Sequence, residues 1–290
     1  MDLYFSYAMR GRTVWWRYLL TLVVGFLFAM LALVLLLVPL FILHLLPSDF
    51  TQQMQSPSDP WTFFGAITIV FAALGGGLAA AAALIQRKHP GDIIGAWRWR
   101  LFAWGLLIWL AVQLVLAIAD FALAPAGFTF TRGATPLLAL WTLGAILVQT
   151  FTEEFIFRGF ATQAILLAVK RPLPAACISG LVFGAMHIPN GWPQAINAVW
   201  FGIICALIAI RTGGIALTSG IHLANNYFGA MGVVSGGDVF KGSPGLFLQN
   251  TPQLQWWDLG MGVLVLAILP WLLRRLRLLP DQLPDAFKTG

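Results

Sequence analysis

The sequence predicts an all-α polytopic membrane protein with about eight transmembrane helices and cytoplasmic N- and C-termini. Composition gives two of the reasons: 59% of the 290 residues are hydrophobic and only 10% are charged, and the mean hydropathy is +0.83. Soluble domains carry about 25% charged residues. The third reason is that the apolar residues form long runs, and runs of about 20 residues can span a bilayer.

Eight apolar runs are candidate spans. The first is long enough to tilt, and Gly75–Gly77 in the second permit close helix approach. The third is rich in Trp and Leu, with Asp120 near its outer, interfacial end. The seventh is the least apolar, because it contains two hydroxyl, one imidazole and two amide side chains. The spans are predicted at residues 18–46, 61–85, 101–123, 136–157, 174–190, 194–210, 215–234 and 256–273.

Basic residues set the orientation, because cytoplasmic loops are enriched in Lys and Arg. The eight spans leave only Arg132 and Lys241 on one side of the membrane. The charge lies in short loops between spans, so nucleic-acid binding is not predicted. The opposite, cytoplasmic side receives Arg10, Arg12, Arg17, Arg87, Lys88, Arg98, Arg100, Arg158, Lys170, Arg171, Arg211, Arg274, Arg275, Arg277 and Lys288.

Three polar clusters interrupt the apolar runs of the second half. An ionised side chain at membrane depth costs about 2.5–3.5 kcal/mol on insertion scales, so it usually has a partner and a function. Each cluster contains two residues that are four apart and therefore lie on one helical face, whereas Glu153 points about 100° away from Glu154. The clusters are Glu153, Glu154 and Arg158; Phe183 and His187; and His222 and Asn226.

Depth tests whether the clusters can meet. Glu153 lies 18 residues before Arg171 and His187 lies 16 after it, so two helical arms would bring them to nearly the same height. His222 lies only 8 residues after Gly214, which gives about 12 Å of rise against about 24 Å. The mismatch closes if segment 159–170 and the start of the fifth span project from the membrane, which requires the fourth helix to continue past Arg158.

A carboxylate, two imidazoles and an amide at one buried point can activate water for hydrolysis. Glu153 would accept a proton from water, and N–H groups would stabilise an oxyanion. Alternatively, His187 and His222 with a carboxylate could hold zinc, although the H-E-x-x-H signature is absent. Each cluster alone also fits a structural role: a polar link for Glu154–Arg158, hydrogen-bonded packing for a histidine. The three together favour a site.

These residues resemble the motifs of the CAAX protease and bacteriocin-processing family, also called the Abi family, of intramembrane proteases. The first motif, E-E-x-x-x-R, matches Glu153, Glu154 and Arg158. The second, F-x-x-x-H, matches Phe183 and His187, and the third, H-x-x-x-N, matches His222 and Asn226. The resemblance covers roughly residues 135–234, which we interpret as a catalytic core within a single integral membrane domain, 1–290.

The resemblance implies an eight-helix fold whose cavity lies among helices 4–7 and opens to the cytoplasm. It implies peptide-bond hydrolysis with Glu153 as general base, His187 and His222 near the water or oxyanion, and Asn226 as oxyanion donor. Glu154 and Arg158 would form a structural ion pair, and Phe183 would line the substrate cavity. Family members have been described as metalloproteases, so a zinc cofactor on His187 and His222 stays an alternative.

Partners and competing functions follow from the same residues. The expected partners are the lipid bilayer and a peptide or protein substrate, with or without a lipid group, and the expected location is the cell membrane if the protein is bacterial. A proton-coupled transporter also uses buried Glu, Arg and His, but no internal repeat of the kind transporters show is evident. A non-catalytic immunity or binding protein is the third hypothesis.

Overall fold

The computed structural model describes residues 3–53, 59–131, 133–236, 239–250 and 254–279. Arg132 and Lys288 of the orientation argument lie outside these ranges. Within the described ranges the chain forms twelve α-helices: α1 (Leu3–Ala8), α2 (Trp15–Ile42), α3 (Phe50–Gln53), α4 (Pro60–Ala81), α5 (Pro90–Ile94), α6 (Trp99–Leu123), α7 (Pro136–Glu154), α8 (Thr162–Val169), α9 (Pro172–Ala185), α10 (Trp192–Thr212), α11 (Ala216–Tyr227) and α12 (Leu254–Arg275).

Five of these helical stretches are long and apolar enough to cross a membrane. The other predicted spans coincide with α9, α11 and α12. Helix α9 has 14 residues and α11 has 12, which at 1.5 Å per residue is shorter than a hydrocarbon core of about 30 Å. The count of eight spans therefore stays a prediction. The five stretches are Trp15–Ile42, Pro60–Gln86, Trp99–Leu123, Pro136–Val169 and Trp192–Thr212.

Glycines bring the helix backbones together where α2 meets α4. A Cβ at Gly77 would lie 2.4 Å from the carbonyl oxygen of Gly25, and a Cβ at Gly75 would lie 3.0 Å from Thr152 Oγ1 on α7. The predicted packing role of Gly75–Gly77 is thus confirmed at two of its positions. Gly76 differs, because nothing lies within 4 Å of a Cβ built there.

Helices α6 and α11 cross even more closely. A Cβ at Gly105 would lie 2.2 Å from the carbonyl oxygen of Leu217, and one at Gly220 would lie 2.1 Å from that of Phe102. Because a residue larger than glycine does not fit at either position, the two glycines determine which residues of α6 and α11 face each other one turn further along.

The fourth predicted helix does continue past Arg158, as the depth argument required. Helices α7 and α8 form one stretch, Pro136–Val169, joined by a π-helical segment at Phe155–Ala161. π-helical turns within α-helices occur frequently at functional sites. The segment includes Arg158 and begins directly after the two glutamates.

The depth mismatch is resolved by the position of the first residues of α11. The backbone N–H of Ile215 donates to Ile94 O at 3.1 Å, and Gln163 Nε2 donates to Asp92 O at 2.9 Å. Both segments hydrogen-bond to α5, so the start of α11 lies at the level of Gln163. It does not lie at the level of the turn at Lys170. Residues 164–170 extend beyond that level, and their projection from the membrane stays a prediction.

The short helix α1 covers the end of the bundle where the basic residues collect, hereafter the basic end. Tyr4 is fully buried, and its hydroxyl donates to the carbonyl oxygen of Arg158. Lys88 Nζ donates to Ala8 O at 3.0 Å. Burial lowers the pKa of Lys88 from 10.5 to about 8, partly offset by Asp92.

The opposite end carries a small sheet that the all-α prediction missed. Strands β1 (Phe128–Phe130), β2 (Val233–Ser235) and β3 (Phe247–Gln249) are ordered β1-β3-β2. Strand β3 pairs antiparallel with β1 and parallel with β2. The described part of the Gly/Pro-rich segment 235–255 is therefore anchored by backbone hydrogen bonds.

Candidate active site

The first and third clusters meet in one buried network. Arg158 Nη1 lies 3.2 Å from Glu154 Oε1, the ion pair that the four-residue spacing predicted. His222 Nδ1 lies 2.9 Å from the same Glu154 oxygen, and His222 Nε2 lies 3.4 Å from Glu153 Oε2. The side chains of Glu154 and Arg158 are fully buried, whereas the Glu153 side chain retains 12% exposure. Only the first carboxylate of the pair is therefore open to the cavity described below.

Arg158 is a buried structural cation. Its guanidinium carbon lies 4.0 Å from the ring centroid of Phe183 and 5.5 Å from that of Phe201. Aromatic faces attract a cation, most strongly where water is excluded. Arg158, which was predicted to be a cytoplasmic loop charge, is instead buried inside the bundle. Its charge can stay there because Glu154, one turn earlier, is its partner.

His222 stands between two carboxylates. Glu154 is held by Arg158, and an ionised carboxylate only accepts hydrogen bonds, so the Nδ1 of His222 carries a proton. Its Nε2 then faces Glu153 across 3.4 Å.

His187 reaches the site from the end of α9. Its Nδ1 lies 2.8 Å from Phe183 O, and since a carbonyl only accepts, Nδ1 is the protonated nitrogen. The Nε2 of the neutral ring is then an acceptor. The Phe183 ring contacts both histidines, with centroid distances of 4.5 Å to His187 and 6.0 Å to His222. The second cluster thus joins the other two through Phe183.

Asn226 lies one turn beyond His222, with its side-chain oxygen engaged. Asn225 Nδ2 donates to Asn226 Oδ1 at 3.0 Å. The oxygen of Asn225 accepts from Trp109 Nε1 at 3.0 Å and from Gln113 Nε2 at 3.5 Å. Sequence reasoning missed the roles of Trp109 and Gln113. The signal available was the amide of Gln113, in the middle of an otherwise apolar run.

A cavity of about 1170 Å³ adjoins Glu153, His187, His222 and Asn226. Its walls extend well beyond the predicted helices 4–7, since α2, α4, α6 and α12 also contribute, for example through Gly25, Phe71, Gln113 and Leu266. Asp120, predicted to be interfacial, is another wall residue. The expected location among four helices was therefore too narrow.

The cavity extends away from the basic end. Asn190 and Ser235, at the opposite helix ends, line it, whereas no described residue in 87–98, 170–171 or 213–215 does. Helices α1 and α5 cover that end, with Tyr4 and Ile93 fully buried. No described residue of the basic end therefore lines the cavity, and both the cytoplasmic orientation and the opening of the cavity to the cytoplasm stay predictions.

The residues do not fit a zinc site. Among the described residues, no group of three or more His, Cys, Asp and Glu side chains is arranged to hold a metal ion. We therefore derive no chemical step through a metal.

These features define a class: a multi-pass integral membrane protein with a buried polar site beside a large internal cavity. Part of the chain matches a known protein family. Residues 135–228 match the family model described as "Type II CAAX prenyl endopeptidase Rce1-like". The matched segment contains all three sequence motifs.

The chain is also similar to an uncharacterized protein, YyaK, of Bacillus subtilis (strain 168), with 31% identity over 170 residues. The aligned region is 54% of this chain and 56% of that protein, so the match spans a little over half the length of this curated relative. No solved structure matches the chain.

Proposed function

We propose that the protein is an intramembrane endopeptidase in which Glu153 activates the water that hydrolyses a peptide bond. The observation that carries this proposal is the unequal environment of the two adjacent carboxylates. Glu154 is fully buried against Arg158 and His222. Glu153 lines the cavity and faces His222 Nε2 at 3.4 Å. A general base must reach the water that it deprotonates, and of these two adjacent carboxylates it is Glu153 that lines the cavity.

The reaction proceeds in two stages. Glu153 accepts a proton from water while His187 Nε2, an acceptor, holds the second O–H, and the hydroxide oxygen bonds to the substrate carbonyl carbon. The oxyanion that results accepts a hydrogen bond from the Asn226 amide. Protonated Glu153 then transfers its proton to the amide nitrogen, the C–N bond breaks, and a carboxyl group and an amine leave.

Each buried partner supports this sequence. Arg158 keeps Glu154 ionised, and Glu154 fixes the Nδ1–H tautomer of His222 through the 2.9 Å contact. Because His222 Nε2 faces Glu153, it can hold the proton that Glu153 accepts, and return it. The family name suggests prenylated C-a-a-X peptides as the first substrates to test. The aromatic and aliphatic cavity walls, among them Phe26, Phe63 and Leu116, suit a substrate that carries an apolar group.

The proposal is tested with purified protein, prenylated and unprenylated peptide libraries, and mass spectrometry of the products. Glu153→Gln preserves the shape of the side chain and removes the base, so turnover should fall at least about 10²-fold. Asp49→Asn, the same chemical change at an exposed position, is the matched control and should retain activity. Wild-type turnover by Glu153→Gln would contradict the assignment of the base.

A further inference from the structure

The amide of Asn226 can stabilise an oxyanion in only one of its two orientations. When the NH₂ group faces the substrate, the amide donates a hydrogen bond to the oxyanion. When the amide oxygen faces the substrate, it repels the negative charge. The two orientations have almost the same shape, so packing alone does not choose between them. Hydrogen-bond partners must make the choice.

The partners of Asn226 form a directional chain that begins on α6. The indole Nε1 of Trp109 is a donor only, so the Asn225 atom it contacts at 3.0 Å must be the oxygen. Gln113 Nε2, at 3.5 Å, is a second donor to this oxygen. The NH₂ group of Asn225 therefore points the other way and donates to Asn226 Oδ1 at 3.0 Å. The Asn226 NH₂ is left facing the cavity.

We propose that Trp109 and Asn225 act as positioning residues, which fix the Asn226 amide with its donor face toward the substrate. This inference deepens the proposed function and rests on it. It gives a role to α6, which lies outside the matched segment 135–228. We call the chain Trp109–Asn225–Asn226 the amide relay.

The helix crossing explains why the relay is rigid. Gly105 and Gly220 hold α6 and α11 in backbone contact, and Trp109 lies one turn beyond Gly105. Only 5% of Trp109 is exposed. Its ring packs edge-on against Phe201 at 6.0 Å, and Phe201 packs against His222 at 5.2 Å. The indole of Trp109 cannot turn away from Asn225 unless Phe201, which packs against His222, also moves.

Two variants of Asn225 distinguish a change in the orientation of the Asn226 amide from the simple loss of its contact with Asn225. Asn225→Asp replaces the NH₂ group with an acceptor, which favours the reversed Asn226 amide. Its kcat should fall about as far as that of Asn226→Ala, on the order of 10²-fold, the loss expected for one oxyanion donor. Asn225→Leu leaves Asn226 free to take either orientation, so its kcat should fall only a few-fold. KM should change little in both, because the relay acts on the transition state.

A double-mutant cycle distinguishes the relay from a direct effect of the new charge. If Asn225 acts through Asn226, adding Asn225→Asp to Asn226→Ala should cost little further activity. If the aspartate instead repels the oxyanion itself, the two losses should multiply. Multiplying losses, or an unchanged kcat in both Asn225→Asp and Trp109→Phe, would overturn the relay.

A measurement without substrate keeps the relay separate from the proposed function. In ¹⁵N-labelled protein in detergent, the Trp109 indole signal is the one missing from Trp109→Phe. It should exchange with solvent far more slowly than the indole of Trp15, which is 70% exposed, and it should shift in Asn225→Leu. Fast exchange and no shift would refute the relay. A protected, shifting signal in a protein without peptidase activity would refute the proposed function, and with it the relay's catalytic role, while the hydrogen-bond chain stands.

Discussion

Glu153 and Glu154 are neighbours in sequence, but they occupy different environments. Successive helical residues point about 100° apart, so one carboxylate turns toward the cavity and the other toward Arg158 and His222. The buried glutamate keeps its charge because a cation and an imidazole surround it. The same chemical group thus faces the cavity at one position and forms a buried ion pair at the next.

The first prediction at this scale concerns Arg158. Arg158→Ala removes the cation beside Glu154 and the guanidinium that stacks on Phe183. Breaking a buried ion pair by removing one partner costs about 3–5 kcal/mol, so the protein should melt at a clearly lower temperature in detergent. Arg100→Ala, at an exposed position, is the control. Equal melting temperatures for the two variants would mean that the pair does not stabilise the fold.

A second prediction removes both charges of the pair. Arg158→Met combined with Glu154→Leu leaves no unpaired ion inside the bundle, and apolar replacement of a buried ion pair is often neutral for stability. The double variant should melt above Arg158→Ala while remaining inactive, because His222 loses the carboxylate that fixes its tautomer. Thermal unfolding and peptidase assays on the same preparations check both parts. Recovery of activity along with stability would contradict the role given to Glu154.

At the scale of elements, the crossing of α6 and α11 is the contact least tolerant of change. Gly105→Ala places a Cβ 2.2 Å from Leu217 O, so the helices must separate, and overpacking of this kind costs about 1–3 kcal/mol. Gly76→Ala is the matched control, since nothing lies within 4 Å of its added Cβ. We expect a lower melting temperature for Gly105→Ala only. The reverse order would show that the crossing is looser than described.

The contact between α1 and Lys88 predicts a dependence of stability on pH. The pKa of Lys88 is about 8 in the folded protein and 10.5 when the residue is unperturbed. Between these values the unfolded chain binds the extra proton, so stability should rise with pH from about 8 to about 10.5 and be constant below.

Lys88→Met should remove this rise. The measurement is the melting temperature of wild-type protein minus that of Lys88→Met, followed across the same pH range in one detergent. A difference that stays flat or falls with increasing pH would contradict a depressed lysine pKa at this position.

At the scale of the whole molecule, a metal requirement is testable although no described group of ligands fits one. With Glu153 as base and Asn226 as oxyanion donor, exhaustive treatment with chelators should leave peptidase activity unchanged. The control is a zinc protease inactivated under the same conditions. Stoichiometric metal in active protein, lost together with activity in His187→Ala and His222→Ala, would decide against our mechanism.

Much of the molecule could be predicted from the sequence because hydropathy and local spacing are local signals. The ion pair of Glu154 and Arg158 follows from a four-residue interval, and the helix boundaries follow from apolar runs. Contacts between distant helices are different. Nothing in the surroundings of Trp109 indicates that its indole meets Asn225, because that contact depends on how closely Gly105 lets α6 approach. The cover formed by α1 was invisible for the same reason: its partners lie far along the chain.

The cover over the basic end also has a consequence in time. The Tyr4 hydroxyl meets a carbonyl 154 residues later in the chain, and Ala8 meets Lys88 80 residues later. During synthesis these first residues emerge long before Arg158 exists, and contacts of such sequence separation form slowly. Helix α1 is therefore synthesised before its partners and docks onto them late. Until it docks, the carbonyl oxygen of Arg158 lacks the Tyr4 hydroxyl as a partner and is open to water from the basic end.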